Sequence, residues 1–328
     1  MPQKSVTYGV TRIRCHEKDL INRDRMERMA EGTLDEAMRT LLDMGYGSLP
    51  NATPEQAESM IDRELTAASE LIREVTFDEK TTDLFLMKAD VHNLKLLLKL
   101  RLTGSNDQPA YMAGGCFSTD ALSKMVQNSE YKELPEEFSK ALTELEQSFQ
   151  ADVDPALISM ELDKAYIAYA YRIGKKGFVK DYFKGMADFS NLLAMLRIRA
   201  MGGGPEKLRA AMLPAGNVTE AKLMQGLEAP ADGLIKLLAA GPARDWITRG
   251  LDAYQKSGSL SPLERERDNY LISLVQKGKF EEDSILPVIA YLLAREQEAK
   301  CLRLILTAKR NRLPDSVITE RLRELYGS

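Results

Sequence analysis

Three groups of residues in the chain share one spacing. Asp90, Asn93, Leu94, Leu97 and Arg101 form the first, and Asp188, Asn191, Leu192, Met195 and Arg199 the second. Glu298, Cys301, Leu302, Ile305 and Lys309 form the third. An acid, a small or polar residue, two apolar residues and a base recur at offsets 0, 3, 4, 7 and 11. At about 100° per residue these positions fall on one stripe of a helix. The acid and base of a stripe then lie about 16 Å apart along the axis, too far to pair with each other. Each needs a partner on another helix, on a bound molecule, or water. Two readings follow: the stripes cap and pair between helices, or they line one shared cavity or surface. The third stripe departs from the other two, with Cys301 and Lys309 where asparagine and arginine stand.

Other residues that could do chemistry do not assemble into a motif. His16-Glu17 lacks the second histidine of a helical zinc site, and His92 has no histidine or cysteine near it in sequence. Both read as surface or interface residues. Gly202-Gly203-Gly204-Pro205 follows a helical pattern rather than a strand and reads as a terminator. Gly174-Lys175-Lys176-Gly177 lacks the rest of a phosphate loop and reads as a helix stop. No nucleophile elbow is present. Asp152 and Asp154 before Pro155 look like a helix start, and Glu296 and Glu298 belong to a repeat helix. Cys15, Cys116 and Cys301 are widely separated, so reduced thiols are expected. The expectation is a protein without a catalytic centre and without a metal or cofactor.

The stripes need long helices to carry them, over residues 86–104, 186–203 and 295–314. The first ends at Gly104, a residue that tolerates positive φ. A short capped helix recurs ahead of each stripe. Thr33 with Glu36 is a capping box, Ser118-Thr119-Asp120 opens the second short helix, and Thr219-Glu220 opens the third. Looser middle helices fall at 54–75, 141–174 and 262–278, with Leu65, Tyr166 and Tyr270 at comparable places. Ser261 is expected to cap the last of these, with Pro262 at its first position. Residues 9–29 read as one partly exposed amphipathic helix. Polar or glycine-rich links are expected at 104–115, 202–216 and 256–261. No segment alternates as a strand does. The chain is expected to be all-α, with three repeat units at 1–108, 109–208 and 209–328.

Bulk properties narrow the partners. The 328 residues are 44% hydrophobic and 29% charged, with a net charge of −4 and acid and base interleaved. That leaves no basic footprint for nucleic acid or anionic lipid. The 15 methionines suit adaptable helix packing or an adaptable interface. The first fifteen residues have no apolar signal core. The longest apolar run, 285–294, is about half the length needed to span a bilayer and contains Pro287. Direct membrane insertion is not expected.

The segments ADVHNLKLLLKLRLTG, ELDKAYIAYAY, ADFSNLLAMLRIRAMG and AYLLAREQEAKCLRLILTAKRNRLP, closed by LPDSVITERLRELYG, resemble the C subunit of prokaryotic V/A-type rotary ATPases. The d subunit of the eukaryotic V-ATPase belongs to the same family. The likeness runs from Tyr8-Gly9 to 320–326. It implies three similar helical domains in a funnel with pseudo-threefold symmetry. It also implies a non-catalytic part of the central stalk, a monomer within its complex and peripheral on the cytoplasmic side of the membrane. The implied role is to couple the rotor shaft, of D and F type subunits, to the membrane proteolipid ring. Candidate interdomain or socket contacts are then Asp90, Asn93, Arg101, Asp188, Asn191, Arg199, Glu298, Arg303 and Lys309. The competing expectation, resting on the repeats alone, is a free-standing helical scaffold for other proteins.

Overall fold

The computed structural model describes residues 5–47, 53–104, 110–148 and 154–327. Every regular element among them is a helix. In chain order the α-helices are α1 (Val6–Glu17), α2 (Arg23–Glu31), α3 (Leu34–Asp43), α4 (Pro54–Val75), α5 (Glu79–Thr103), α6 (Thr119–Asn128), α7 (Glu136–Ser148) and α8 (Pro155–Ile173). They continue with α9 (Gly177–Ala200), α10 (Pro205–Ala211), α11 (Glu220–Glu228), α12 (Leu234–Leu238), α13 (Arg244–Ser257), α14 (Ser261–Gln276), α15 (Leu286–Arg310) and α16 (Asp315–Arg321). Short 3-10 turns lie at Ala231–Gly233 and Lys277–Phe280. None of these helices is long and apolar enough to cross a membrane.

Local chemistry sets most boundaries. The Thr33 hydroxyl accepts the Glu36 N–H while the Glu36 carboxylate accepts the Thr33 N–H, closing the capping box expected at α3. The Ser118 hydroxyl caps α6 and the Asp154 carboxylate caps α8; Asp152 lies outside the described residues. Gly174 ends α8. Gly202, at φ +67°, turns the chain out of α9, and the Gly203 N–H returns to the Ile198 carbonyl.

Four expectations are corrected. Residues 9–29 form two helices rather than one: Asn22 caps α2, and the Ile21 N–H is taken by a distant carboxylate instead of its own helix. The stretch 141–174 is not one helical region, because α7 ends at Ser148 and α8 begins at Pro155. The link at 202–216 contains α10, which Pro205 opens. Ser261 is the first residue of α14, not its cap; the cap position is Leu260.

The chain packs as two compact units, one of Met1–Glu79 with Trp246–Ser328 and one of Lys80–Asp245. In the first unit α15 is the central rod, packed on α4, α14 and α1. It is buried around most of its circumference from Leu286 to Ala294, which accounts for the apolar run without a membrane. Ile21, Met26, Met29, Leu41 and Tyr46 pack with Cys301, Leu302 and Ile305 in one core. The residues after α16 are tied down by α14. The Asn269 side chain accepts the Glu324 N–H, and Arg323 donates to Asp268. Burial works against ionisation of Asp268, but Lys300, Arg267 and Arg323 outweigh it and hold the carboxyl down at about 2.

In the second unit α9 packs on α8 and α11, and α7 packs on α8. Its core is aromatic: Phe85, Tyr182 and Phe183 meet with ring centroids 5.2–5.4 Å apart, and Tyr166 stands edge-on to Phe183 at 5.5 Å. The buried Tyr166 hydroxyl donates to the Leu84 carbonyl at 3.1 Å.

Candidate functional site: the stripe joints

In the first two stripes, long helices place the acid, the amide and the base against the chain that follows them. On α5, the buried Asp90 carboxylate accepts the N–H groups of Cys116 at 2.5 Å and Phe117 at 3.1 Å. One turn on, the Asn93 amide clamps Met112 at both ends. Its Nδ2 donates to the Met112 carbonyl at 2.8 Å, and its Oδ1 accepts the Met112 N–H at 2.9 Å. Farther along, Arg101 donates to the Val126 carbonyl in the last turn of α6 and pairs with Glu146 at 2.8 Å. The acid, amide and base together grip the loop that leads into α6 and the far end of that helix.

On α9 the same device appears again. Asp188 Oδ1 accepts the N–H groups of Asn217 at 2.7 Å and Val218 at 2.8 Å, and its Oδ2 accepts the Asn217 amide at 2.9 Å. Asn191 clamps Leu213 through its carbonyl at 3.1 Å and its N–H at 2.8 Å. Arg199 donates to the Gly226 carbonyl at 2.8 Å and the Ala229 carbonyl at 2.6 Å, at the end of α11. Burial raises the Asp188 carboxyl above its ordinary range despite the N–H groups of Val218 and Asn217.

Both joints leave room for glycine only. A Cβ on Gly115 would overlap the Asp90 carboxylate, and a Cβ on Gly216 would overlap Asp188 Oδ1 and the Lys184 carbonyl. Gly216→Ala is therefore expected to destabilise the chain by about 2 kcal/mol. Gly204→Ala is the control, since a Cβ there meets nothing within 4 Å, and it should stay within about 1 kcal/mol of the parent, the remaining cost being that of a poorer N-cap on α10. Urea unfolding of the two variants checks the difference.

The third stripe is built differently, on α15. Glu298 accepts the Ile21 N–H at 2.5 Å, the Tyr46 hydroxyl at 3.3 Å and Arg295 Nη1 at 3.2 Å. Arg295 is itself buried and donates through Nε to the Tyr291 hydroxyl at 3.1 Å. Burial pushes the Glu298 carboxyl up to about 7, against the pull of Arg295, the Ile21 N–H and the Tyr46 hydroxyl. Cys301, where the other stripes have asparagine, is buried and touches the Arg323 carbonyl only weakly, at 4.0 Å. Lys309 pairs with Asp315 at 2.6 Å rather than capping a helix.

Arg303 stands apart from the stripes. It reaches α4, pairing with Glu58 at 2.5 Å and Asp62 at 2.6 Å. These carboxylates are more than half exposed, so Arg303→Ala is expected to cost no more than about 1 kcal/mol. A double-mutant cycle with Glu58→Ala and Asp62→Ala measures that coupling.

The stripe carboxylates are thus committed to main-chain N–H groups, and the arginines of the first two stripes to helix-end carbonyls. Such groups fix backbone. His92 Nε2 lies 3.3 Å from the Ala110 carbonyl, and His16 lies beside the Tyr291 ring. Among the described residues no cluster of histidine, cysteine, aspartate or glutamate could hold a metal ion. Sequence periodicity finds the acids and bases but not the loops they hold. The available signal was Gly115 and Gly216, each one or two residues before the N–H groups that the acid accepts.

An all-helical chain whose recurring polar residues bind its own backbone is a built framework. The family model for the ATP synthase (C/AC39) subunit matches residues 9–321, and the chain belongs to this family. Among its relatives, the C subunit of the V-type sodium ATPase of Enterococcus hirae is 22% identical, with 96% of this chain and 97% of that protein covered. The C subunit of the A-type ATP synthase of Methanosarcina mazei is 24% identical, covering 96% and 92%. The corresponding protein of Thermococcus onnurineus is 25% identical, covering 98% and 90%.

Proposed function

We propose that the chain is a non-catalytic subunit of a V/A-type ATPase or ATP synthase, placed in the central stalk. There it couples the rotor shaft, of D and F type subunits, to the membrane proteolipid ring and passes torque for ion transport. It is peripheral, on the cytoplasmic side, and one copy serves each complex. In this reading the repeats at 1–108, 109–208 and 209–328 form a funnel of three similar domains.

The observation that carries the reading is the family match along residues 9–321, joined to relatives named as the C subunits of these machines. The joints support it physically. Asp90 binds residues 116 and 117, Asp188 binds 217 and 218, and Glu298 binds Ile21. Each acid reaches across an expected repeat boundary, the third returning to the first repeat. A part that carries twist must resist shear, and buried charge-assisted bonds between repeats supply that resistance. The helices described here contain none that could cross a membrane, which suits a part resting on a ring of other subunits.

The test is affinity capture of the tagged chain from detergent-solubilised membranes. Co-purification with nucleotide-binding subunits and a proteolipid is the expected result. Recovery with unrelated proteins alone would overturn the reading in favour of a free-standing scaffold.

A further inference from the structure

Beside the Glu298 cluster the first unit holds a cleft of about 630 Å³, within the range of about 300–1,000 Å³ usual for small-molecule sites. Five helices meet around it. Tyr291 and Arg295, one turn apart on α15, form its buried floor. Glu64, Ala68 and Leu71 present one face of α4 to it. His16, near the end of α1, stands at a wall with its ring 6.3 Å from that of Tyr291. Lys18, Asp19, Arg25 and Asp43 are exposed at its mouth.

Arg295 gives the cleft its chemistry. The residue is only 7% exposed. Its Nε donates to the Tyr291 hydroxyl at 3.1 Å, and its Nη1 serves Glu298 at 3.2 Å and the Tyr46 hydroxyl at 3.5 Å. Nη2 meets no acceptor among the described residues and is not sealed from solvent, so it opens on the cleft. The free edge of a guanidinium suits a carboxylate. The other charges are uncommitted too. Among the described residues, Lys18, Asp19, Arg25, Asp43 and Glu64 make no side-chain hydrogen bond or ion pair. Glu64 is half-buried. After burial and Glu298, its charge also raises the hydroxyls of Tyr46 and Tyr291, which puts it near the floor.

These charges select the ligand. A bare anion would meet the carboxylates of Glu64, Asp19 and Asp43, and a bare cation would meet Arg295, Lys18 and Arg25. A molecule carrying both charges answers both sets at once. Between the charged groups the walls are apolar, made by Met44, Ala68 and Leu71 with the rings of His16 and Tyr291. We propose that this cleft binds a free α-amino acid with an apolar side chain, its carboxylate on Arg295 Nη2 and its ammonium on Glu64. The site is independent of the proposed function and goes beyond it.

The test is the melting temperature of the full chain with each standard free amino acid at millimolar concentration, since a ligand of the folded state raises it. Acetate, methylammonium and inorganic phosphate are the single-charge controls, and titration calorimetry follows any shift. Leucine or methionine is expected to bind one to one and more tightly than glycine, while the controls give no shift. Glu64→Gln should weaken binding by about tenfold or more without changing the melting temperature of the free chain. Ala67→Tyr fills the cleft from an exposed position on α4 and should abolish binding. Arg295→Lys should lose it as well, and the first two variants carry the test if this one does not fold. No shift with any amino acid would overturn the proposal. So would a shift with acetate or phosphate equal to the best amino acid, which would mark a plain anion site, or full binding by Ala67→Tyr, which would place the ligand elsewhere.

Discussion

Replacing Asp188 by alanine is expected to destabilise the second unit by about 3–5 kcal/mol. The estimate follows from what the change strands. Two main-chain N–H groups, the part-buried one of Asn217 and the buried one of Val218, lose their acceptor at once, and the Asn217 amide loses a third bond. An unsatisfied buried donor costs about 1–3 kcal/mol. Asp188→Asn keeps an acceptor oxygen for the N–H groups but turns an amide donor towards the Asn217 amide, so about half the loss is expected. Urea unfolding gives the magnitudes, and hydrogen exchange at residues 217 and 218 gives the location. Unchanged protection at those amides in Asp188→Ala would mean that the joint is not what holds the loop.

Glu298→Gln should show an effect that depends on pH. Burial raises the Glu298 carboxyl from 4.5 to about 7 in the folded chain. A group raised on folding stabilises fully below its unfolded value, and that stabilisation is lost as pH rises through the folded value. Between pH 5 and pH 8 the parent therefore gives up stability that an uncharged glutamine does not. Relative to the parent, the variant is expected to gain over this window. Two unfolding series, at pH 5 and pH 8, are enough to check it. A gap that moves against the variant would show that pairing with Arg295, at 3.2 Å, outweighs the cost of burial. Glu298→Ala leaves Arg295 buried without that carboxylate and should cost about 3–5 kcal/mol.

The stripe helices were legible because a buried rod imposes its period on sequence. Asp90, Asn93, Leu94 and Leu97 are all buried, and their spacing alone places them on one face. The short helices were legible from their caps at Thr33 and Ser118. What the stripe acids hold was not legible, since a carboxylate's spacing does not say which loop returns to it. The break between α1 and α2 shows the limit. Residues 9–29 have helical composition, yet Ile21 gives its N–H to a residue 277 positions away. Helix α10 was hidden for the opposite reason, because the glycines before it read as a continuous link. Cys301 and Lys309 marked the third stripe as different, but only the structure adds Arg295, Tyr46 and Tyr291 to it.

The first unit draws on two separated stretches of the chain, Met1–Glu79 and Trp246–Ser328. During synthesis the second unit, Lys80–Asp245, can close as soon as it clears the ribosome. The opening helices must wait, since the rod against which α4 packs is translated only after the whole second unit. Met26, Met29 and Leu41, buried in the finished protein, lack throughout that interval the cover that Cys301, Leu302 and Ile305 of α15 supply. Chaperone dependence is thus expected to fall on nascent residues 6–75, and chains stalled before Leu286 should aggregate through them.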